Sequence, residues 1–164
     1  MATTYLASCE LQGISGHEAG RMLLHSLWET HVGDEMPPIA IAQRGKPYFE
    51  VGNWNFSISH TNKHAFCVLS DAPIGVDAEE MDRNIDLRLA EKILSPYERA
   101  QFDTAQDKRA ALIKFWVLKE AAAKLSGEGL RGYPNHTKFD LDDESLTEKD
   151  GCFIAIMQED NHAI

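Results

Sequence analysis

Cysteine is scarce in this 164-residue chain. Cys9, Cys67 and Cys152 are three in number, scattered, and without metal-ligand spacing. That excludes a disulfide framework and reads as thiols in a reducing compartment, so a cytoplasmic location is expected. Positive charge is short as well: 16 Lys and Arg stand against 26 Asp and Glu, for a net charge of -10. Nucleic-acid binders usually carry a basic patch and a high pI, so no nucleic-acid partner is expected. No apolar run approaches the roughly 20 residues that span a bilayer, so no membrane partner is expected either. Residues 1–13 show no basic stretch followed by an apolar one, which gives no sign of a signal peptide. Also missing are a phosphate-cradling glycine-rich loop, a Ser-His-Asp order, low-complexity segments and visible repeats. What remains is a chain with 43% hydrophobic residues. It is long enough for one domain, or for two small halves around a shared core.

The charge is uneven. Residues 83–124 hold nine Lys and Arg against six Asp and Glu, while the rest of the chain holds seven against twenty. One reading is an ordinary solvated surface; the other is one basic face on an acidic protein.

The periodicities predict the elements. A strand is expected at residues 5–8. A helix begins after Ser15, with apolar residues at Ala19, Met22, Leu23 and Leu27. Pro37-Pro38 ends it, residues 39–42 look extended, and Gly45-Lys46-Pro47 signals a turn. Strands follow at 56–60, 65–69 and 74–79, then short helices at 87–94 and 96–102. A long helix over 107–126 stops at Gly127 and Gly129. Two last strands are expected at 137–141 and 152–157. Strands broken by helices without regular alternation predict an α+β fold rather than a doubly wound one.

Three constellations could carry chemistry. In Gly75-Val76-Asp77-Ala78-Glu79 the two carboxylates share one face of a strand, where they repel unless a cation sits between them. Such oxygens suit magnesium, although a strand running into an acidic loop would look the same. In the run from Trp116 to Lys124, Trp116, Glu120 and Lys124 recur every four residues on one helix face. A plain Glu-to-Lys helix pair is the bland alternative. In Ser57-Ile58-Ser59-His60-Thr61, a histidine beside hydroxyls can hydrogen-bond a phosphate, or can simply be a satisfied turn histidine.

In their order and joint spacing these segments resemble the 4′-phosphopantetheinyl transferases, from about residue 20 to residue 141. Gly45-Lys46-Pro47, Phe56-Ser57-Ile58-Ser59-His60, Gly75 to Glu79, and Trp116 to Lys124 stand in that family's sequence of motifs. In the small trimeric holo-acyl-carrier-protein synthases the Ser-His segment follows the Lys-Glu-Ala helix. Here it comes first, as in the surfactin-type branch. The resemblance therefore implies an α+β pseudo-dimer in one domain, its halves at about 1–72 and 73–164, with the active site in the cleft between them. It implies a monomer that moves phosphopantetheine from coenzyme A to a serine of an acyl, polyketide or peptidyl carrier protein. By motif position, Asp77, Glu79 and Glu120 look like ligands of magnesium. Lys124, with Lys119 as a further candidate, looks like a phosphate contact. Ser59 and His60 look like contacts to the nucleotide phosphates, and Lys46 and Pro47 like part of the adenine site. Catalysis is expected from Glu120, Lys124 and Asp77. Ala78 and Val117 depart from the usual Ile and Ser or Thr of the family. Relatives carry several basic residues near the N-terminus that grip the 3′-phosphate of coenzyme A, whereas only Arg21 precedes Arg44 here. Arg88, Lys92, Arg99, Lys108 and Arg109 lie outside the motifs and could meet an acidic carrier.

Overall fold

Alternating side chains set the sheets. In Asn55–His60, Phe56 and Ile58 point one way and Ser57 and Ser59 the other, as extended backbone requires. The computed structural model describes residues 1–129 and 136–159. Strand β1 (Thr4–Glu10) leads to helix α1 (Gly16–His31), and a small hairpin of β2 (Ile39–Ile41) and β3 (Pro47–Phe49) follows. Then come β4 (Asn55–His60), β5 (His64–Ser70) and β6 (Ile74–Glu80). A 3-10 turn at Leu87–Leu89 enters α2 (Ala90–Ile93), followed by α3 (Pro96–Thr104) and α4 (Lys108–Ser126). The hairpin of β7 (Leu146–Lys149) and β8 (Cys152–Gln158) comes last among the described elements.

Two three-stranded antiparallel sheets result, in the orders β1-β5-β4 and β6-β8-β7. In each, the strand that comes last in the chain takes the middle. Helix α1 covers one face of the first sheet, where Leu24, Leu27 and Trp28 pack with Phe49, Phe56, Cys67 and Leu69. Helix α4 covers one face of the second, where Leu112, Phe115, Leu118 and Ala121 pack with Phe153 and Ala155. The opposite faces meet each other through Phe66, Val68, Ile74, Val76, Ala78 and Ile154. The layers therefore run helix, sheet, sheet, helix, which is an α+β architecture.

The edges β4 and β6 run side by side without a backbone ladder. Serine hydroxyls bridge them: the Val76 N–H donates to Ser57 Oγ at 3.1 Å, and the Ala78 N–H to Ser59 Oγ at 3.1 Å. Two otherwise unpaired edge donors are satisfied this way.

Most predicted elements are present, with local differences. Met22 is 57% exposed, and the buried stripe of α1 is Ala19, Gly20, Leu24, Leu27 and Trp28. The strand expected at 137–141 is absent. Side chains of α3 take the place of a partner strand there. Gln101 Nε2 donates to the Phe139 carbonyl, the Leu141 N–H donates to Gln101 Oε1, and the Phe139 N–H donates to Glu98 Oε2. The pattern did not anticipate β7. It forms because Asp150 and Gly151, with φ of 54° and 76°, make the tight turn that returns β7 onto β8.

Candidate active site

Helix α4 runs along β6 at very short range because Gly75 has no side chain. A Cβ there would lie 2.2 Å from the Ala121 carbonyl oxygen and 2.5 Å from the Leu125 nitrogen. This closeness sets the C-terminal half of α4 over the helix-facing side of β6, where Asp77 points. Gly127, in the left-handed region at φ 74°, then ends the helix with its N–H on the Ala123 carbonyl.

Asp77 is 8% exposed. Its Oδ1 accepts from Ser59 Oγ at 3.1 Å and from Lys124 Nζ at 3.0 Å. Burial still raises the Asp77 pKa, against the pull of Lys124 and Ser59. Lys124 Nζ also donates to the Ile58 carbonyl at 3.2 Å, so one ammonium ties α4 to both edge strands. Glu120, half-buried one turn earlier, is raised as well, first by burial and then by the nearby charge of Asp77. On the other side of the cleft, Lys46 Nζ donates to the Lys124 carbonyl at 2.5 Å and to the Ile74 carbonyl at 3.2 Å. Burial, then the charge of Lys124, lowers the Lys46 pKa.

A cavity of about 280 Å³ opens between these groups. Lys46, Pro47, Glu120 and Lys124 line it, with Arg44 and Ser57 beside them. Four residues singled out from separate motifs thus meet at one hollow, with Asp77 attached through Lys124. Glu79 and His60 line a neighbouring cavity of about 560 Å³ with Lys63 and Arg83. Glu79 is held by Arg83, whose Nη1 lies 2.5 Å from Glu79 Oε2 while its guanidinium stands 6.0 Å from the Trp116 ring centre. The His60 ring packs over the start of α1, where a Cβ on Gly16 would lie 2.2 Å from it.

Lys119 does not join this group. It projects from the other side of α4, is 2% exposed, and pairs with the fully buried Glu98 at 2.7 Å. Thr137 donates to both Glu98 oxygens at 3.1 and 2.9 Å. Lys119 instead anchors α3 and the stretch after α4. The motifs assign no role to Arg44, Ser57 or Arg83, which line these cavities. Ser57 was legible in principle, since it shares a strand face with Ser59. Arg83 was not, because its reach to Glu79 depends on the turn after β6.

The basic stretch is largely occupied by its own neighbours. Arg88 pairs with Asp86 at 2.7 Å, Arg99 with Asp103 at 2.8 Å, and Lys108 Nζ donates to the Phe102 and Asp103 carbonyls. Lys92 and Arg109 are exposed.

The family model of the 4′-phosphopantetheinyl transferase superfamily matches residues 73–160. The chain belongs to that superfamily. Its curated relatives place it with the surfactin-type branch of these transferases. It is 31% identical over 123 residues to the 4′-phosphopantetheinyl transferase psf-1 of Bacillus pumilus, covering 69% of this chain and 52% of that protein. To the 4′-phosphopantetheinyl transferase HetI of Nostoc sp. it is 30% identical over 122 residues, covering 68% and 52%. To the 4′-phosphopantetheinyl transferase Sfp of Bacillus subtilis it is 32% identical over 90 residues, covering 52% and 39%. The chain spans about half the length, or less, of these relatives. No helix among the described residues is long and apolar enough to cross a membrane.

The carboxylates of this superfamily member suit a divalent cation by donor chemistry. Asp77, Glu79 and Glu120 offer only hard oxygens, and Asp77 with Glu120 concentrates negative charge that Lys124 partly offsets. Arg83 holds the third carboxylate aside.

Proposed function

We propose that this chain transfers the 4′-phosphopantetheine group from coenzyme A to a serine of an acyl or peptidyl carrier protein. The observation that carries the reading is the single cavity lined by Lys46, Pro47, Glu120 and Lys124. Family membership supports it.

In this reading the nucleotide lies against Lys46 and Pro47. Lys124 faces the pyrophosphate, and His60 reaches the nucleotide phosphates from the far rim. Asp77, Glu79 and Glu120 would hold magnesium, with Glu79 released from Arg83. When bound, the ion offsets the charge that grows on the pyrophosphate. Lys124 adds a fixed positive charge in a half-buried place, where it acts more strongly than in water. The carrier serine oxygen bonds to the phosphorus that bears pantetheine. The bond from that phosphorus to the bridging oxygen breaks, and adenosine 3′,5′-bisphosphate leaves. Glu120 takes the serine proton, directly or through water. Its place on the cavity wall beside Lys124 puts it within reach of that proton.

The recurring strand order, β1-β5-β4 and β6-β8-β7, each with one long helix on its outer face, supports a pseudo-dimer of two halves at about 1–72 and 73–164. We take the chain as one such domain that works as a monomer, since both walls of the cleft come from one chain. A stable trimer by light scattering would contradict this.

Incubation with coenzyme A, magnesium and apo-carrier tests the activity. Intact mass of the carrier should rise by one phosphopantetheine. Coenzyme A binding without the mass gain would mark a non-catalytic binding module. Carrier binding alone would mark a docking scaffold.

A further inference from the structure

On the faces where the two sheets meet lies a second cluster, which the proposed reaction leaves unused. His64 opens β5, Glu80 closes β6 and Cys152 opens β8, with Glu80 and Cys152 direct partners in the ladder. Their side chains turn between the sheets, away from Asp77 and Glu79, because alternate strand residues face opposite ways. His64 Nδ1 is 2.8 Å from Glu80 Oε1, and Cys152 Sγ is 3.8 Å from the same nitrogen. The three donor atoms lie within 4.8 Å of one another. Cys152 is fully buried, and the His64 and Glu80 side chains are 12% and 11% exposed. Thr61 donates to Glu80 Oε1 at 2.5 Å and orients the carboxylate. On its outer side, His64 lines an open hollow of about 550 Å³ together with Ser8 and Asp150.

We propose that His64, Glu80 and Cys152 form a three-ligand binding site for zinc(II). One imidazole nitrogen, one carboxylate oxygen and one sulfur match the donors zinc takes in tetrahedral sites. With Zn–S of about 2.3 Å and Zn–N of about 2.0 Å, sulfur and nitrogen sit about 3.5 Å apart in such a site. The observed separation is 3.8 Å. The histidine and carboxylate, now hydrogen-bonded, need to part by only a few tenths of an ångström.

A soft sulfur and an imidazole disfavour magnesium, so this site and the cleft select different ions. Without an ion, burial and then the charge of Glu80 hold the Cys152 thiol up at about 12. As the sulfur–metal bond forms, that proton leaves to solvent, the His64 hydrogen bond to Glu80 breaks, and no electrons change hands. The ion would tie β5 of one sheet to β6 and β8 of the other, and so stabilise the folded state that binds it. The inference is independent of the proposed transferase activity.

Cobalt(II) titration of metal-free protein in excess magnesium tests it. The expected result is one equivalent bound with a thiolate-to-cobalt charge-transfer band, bleached by zinc, and a higher thermal midpoint with zinc than with chelator. Cys152→Ser should lose the band, Cys9→Ser should keep it, and His64→Gln should weaken binding. Absence of the band in the native protein, or its survival in Cys152→Ser, overturns the proposal. If Cys152→Ser does not fold, the native band, the zinc-dependent midpoint and His64→Gln still decide.

Discussion

In the first sheet, α1 rests on rings: Trp28 meets Phe49 edge-on at 5.1 Å, Phe49 meets Phe56 at 4.7 Å, and Tyr5 stacks on His31 at 3.6 Å. In the second, α4 rests on a core in which aliphatic residues surround three buried phenylalanines, Phe115 on the helix, Phe102 on α3 and Phe153 on β8. Beside that core lies the fully buried pair of Glu98 and Lys119. The two share a strand order but differ in the groups they bring to the cleft. All three carboxylates expected to hold an ion lie on β6 and α4, while the first half lends Lys46, Pro47 and the hydroxyls of Ser57 and Ser59. One half is a packed wall; the other carries the charge.

The sharpest way to break this division is to disarm the charged half alone. Glu120→Gln should cut transfer to the carrier by roughly 10²–10⁴-fold, with unchanged circular dichroism. Near-normal turnover at saturating magnesium would show that the chemistry lies elsewhere.

Next is the buried pair. Lys119→Ala strands the Glu98 carboxylate in the interior, which costs about 3–5 kcal/mol when one partner of such a pair is removed. Urea unfolding should show this loss, while coenzyme A affinity of the folded variant stays near that of the native protein. A selective loss of coenzyme A binding with native stability would return Lys119 to the cleft.

Glycine contacts compare the halves directly. Gly75→Ala pushes a methyl into α4 backbone, whereas Gly20→Ala meets the Ile58 Cγ2 at 2.3 Å, a side chain that can yield. Overpacking costs about 1–3 kcal/mol. Gly75→Ala belongs at the upper end, with reduced activity because Glu120 and Lys124 move with the helix, and Gly20→Ala at the lower end. The reverse order in denaturant melts would contradict the close seating of α4.

Smallest is the seam itself. Ser57→Ala leaves the Val76 N–H without its partner, at a cost of about 1 kcal/mol, the lower end for a buried donor. A variant as stable as the native protein would show that water replaces the hydroxyl.

Much of this is legible in the sequence. The alternation in Phe56 to His60 and the stop at Gly127 declared a strand and a helix end through local rules. The motif order brought Lys46, Pro47, Glu120 and Lys124 into one reading, and they line one cavity. What stayed hidden depends on which side of an element faces what. Lys119 and Glu120 are neighbours in the chain, but 100° of helix turn sends one into the α3 core and the other into the cleft. Residues 137–141 alternate like a strand, yet Gln101 and Glu98 satisfy their backbone, which no pattern within the segment reveals. His64, Glu80 and Cys152 have no spacing in common and meet only because the two sheets stack.

The most direct test is the position of coenzyme A in a crystal structure with magnesium. The account predicts the adenine against Lys46 and Pro47, with the pyrophosphate between Lys124 and the carboxylates of Asp77 and Glu120. Coenzyme A bound elsewhere, with the cavity between Lys46 and Glu120 empty, would contradict it.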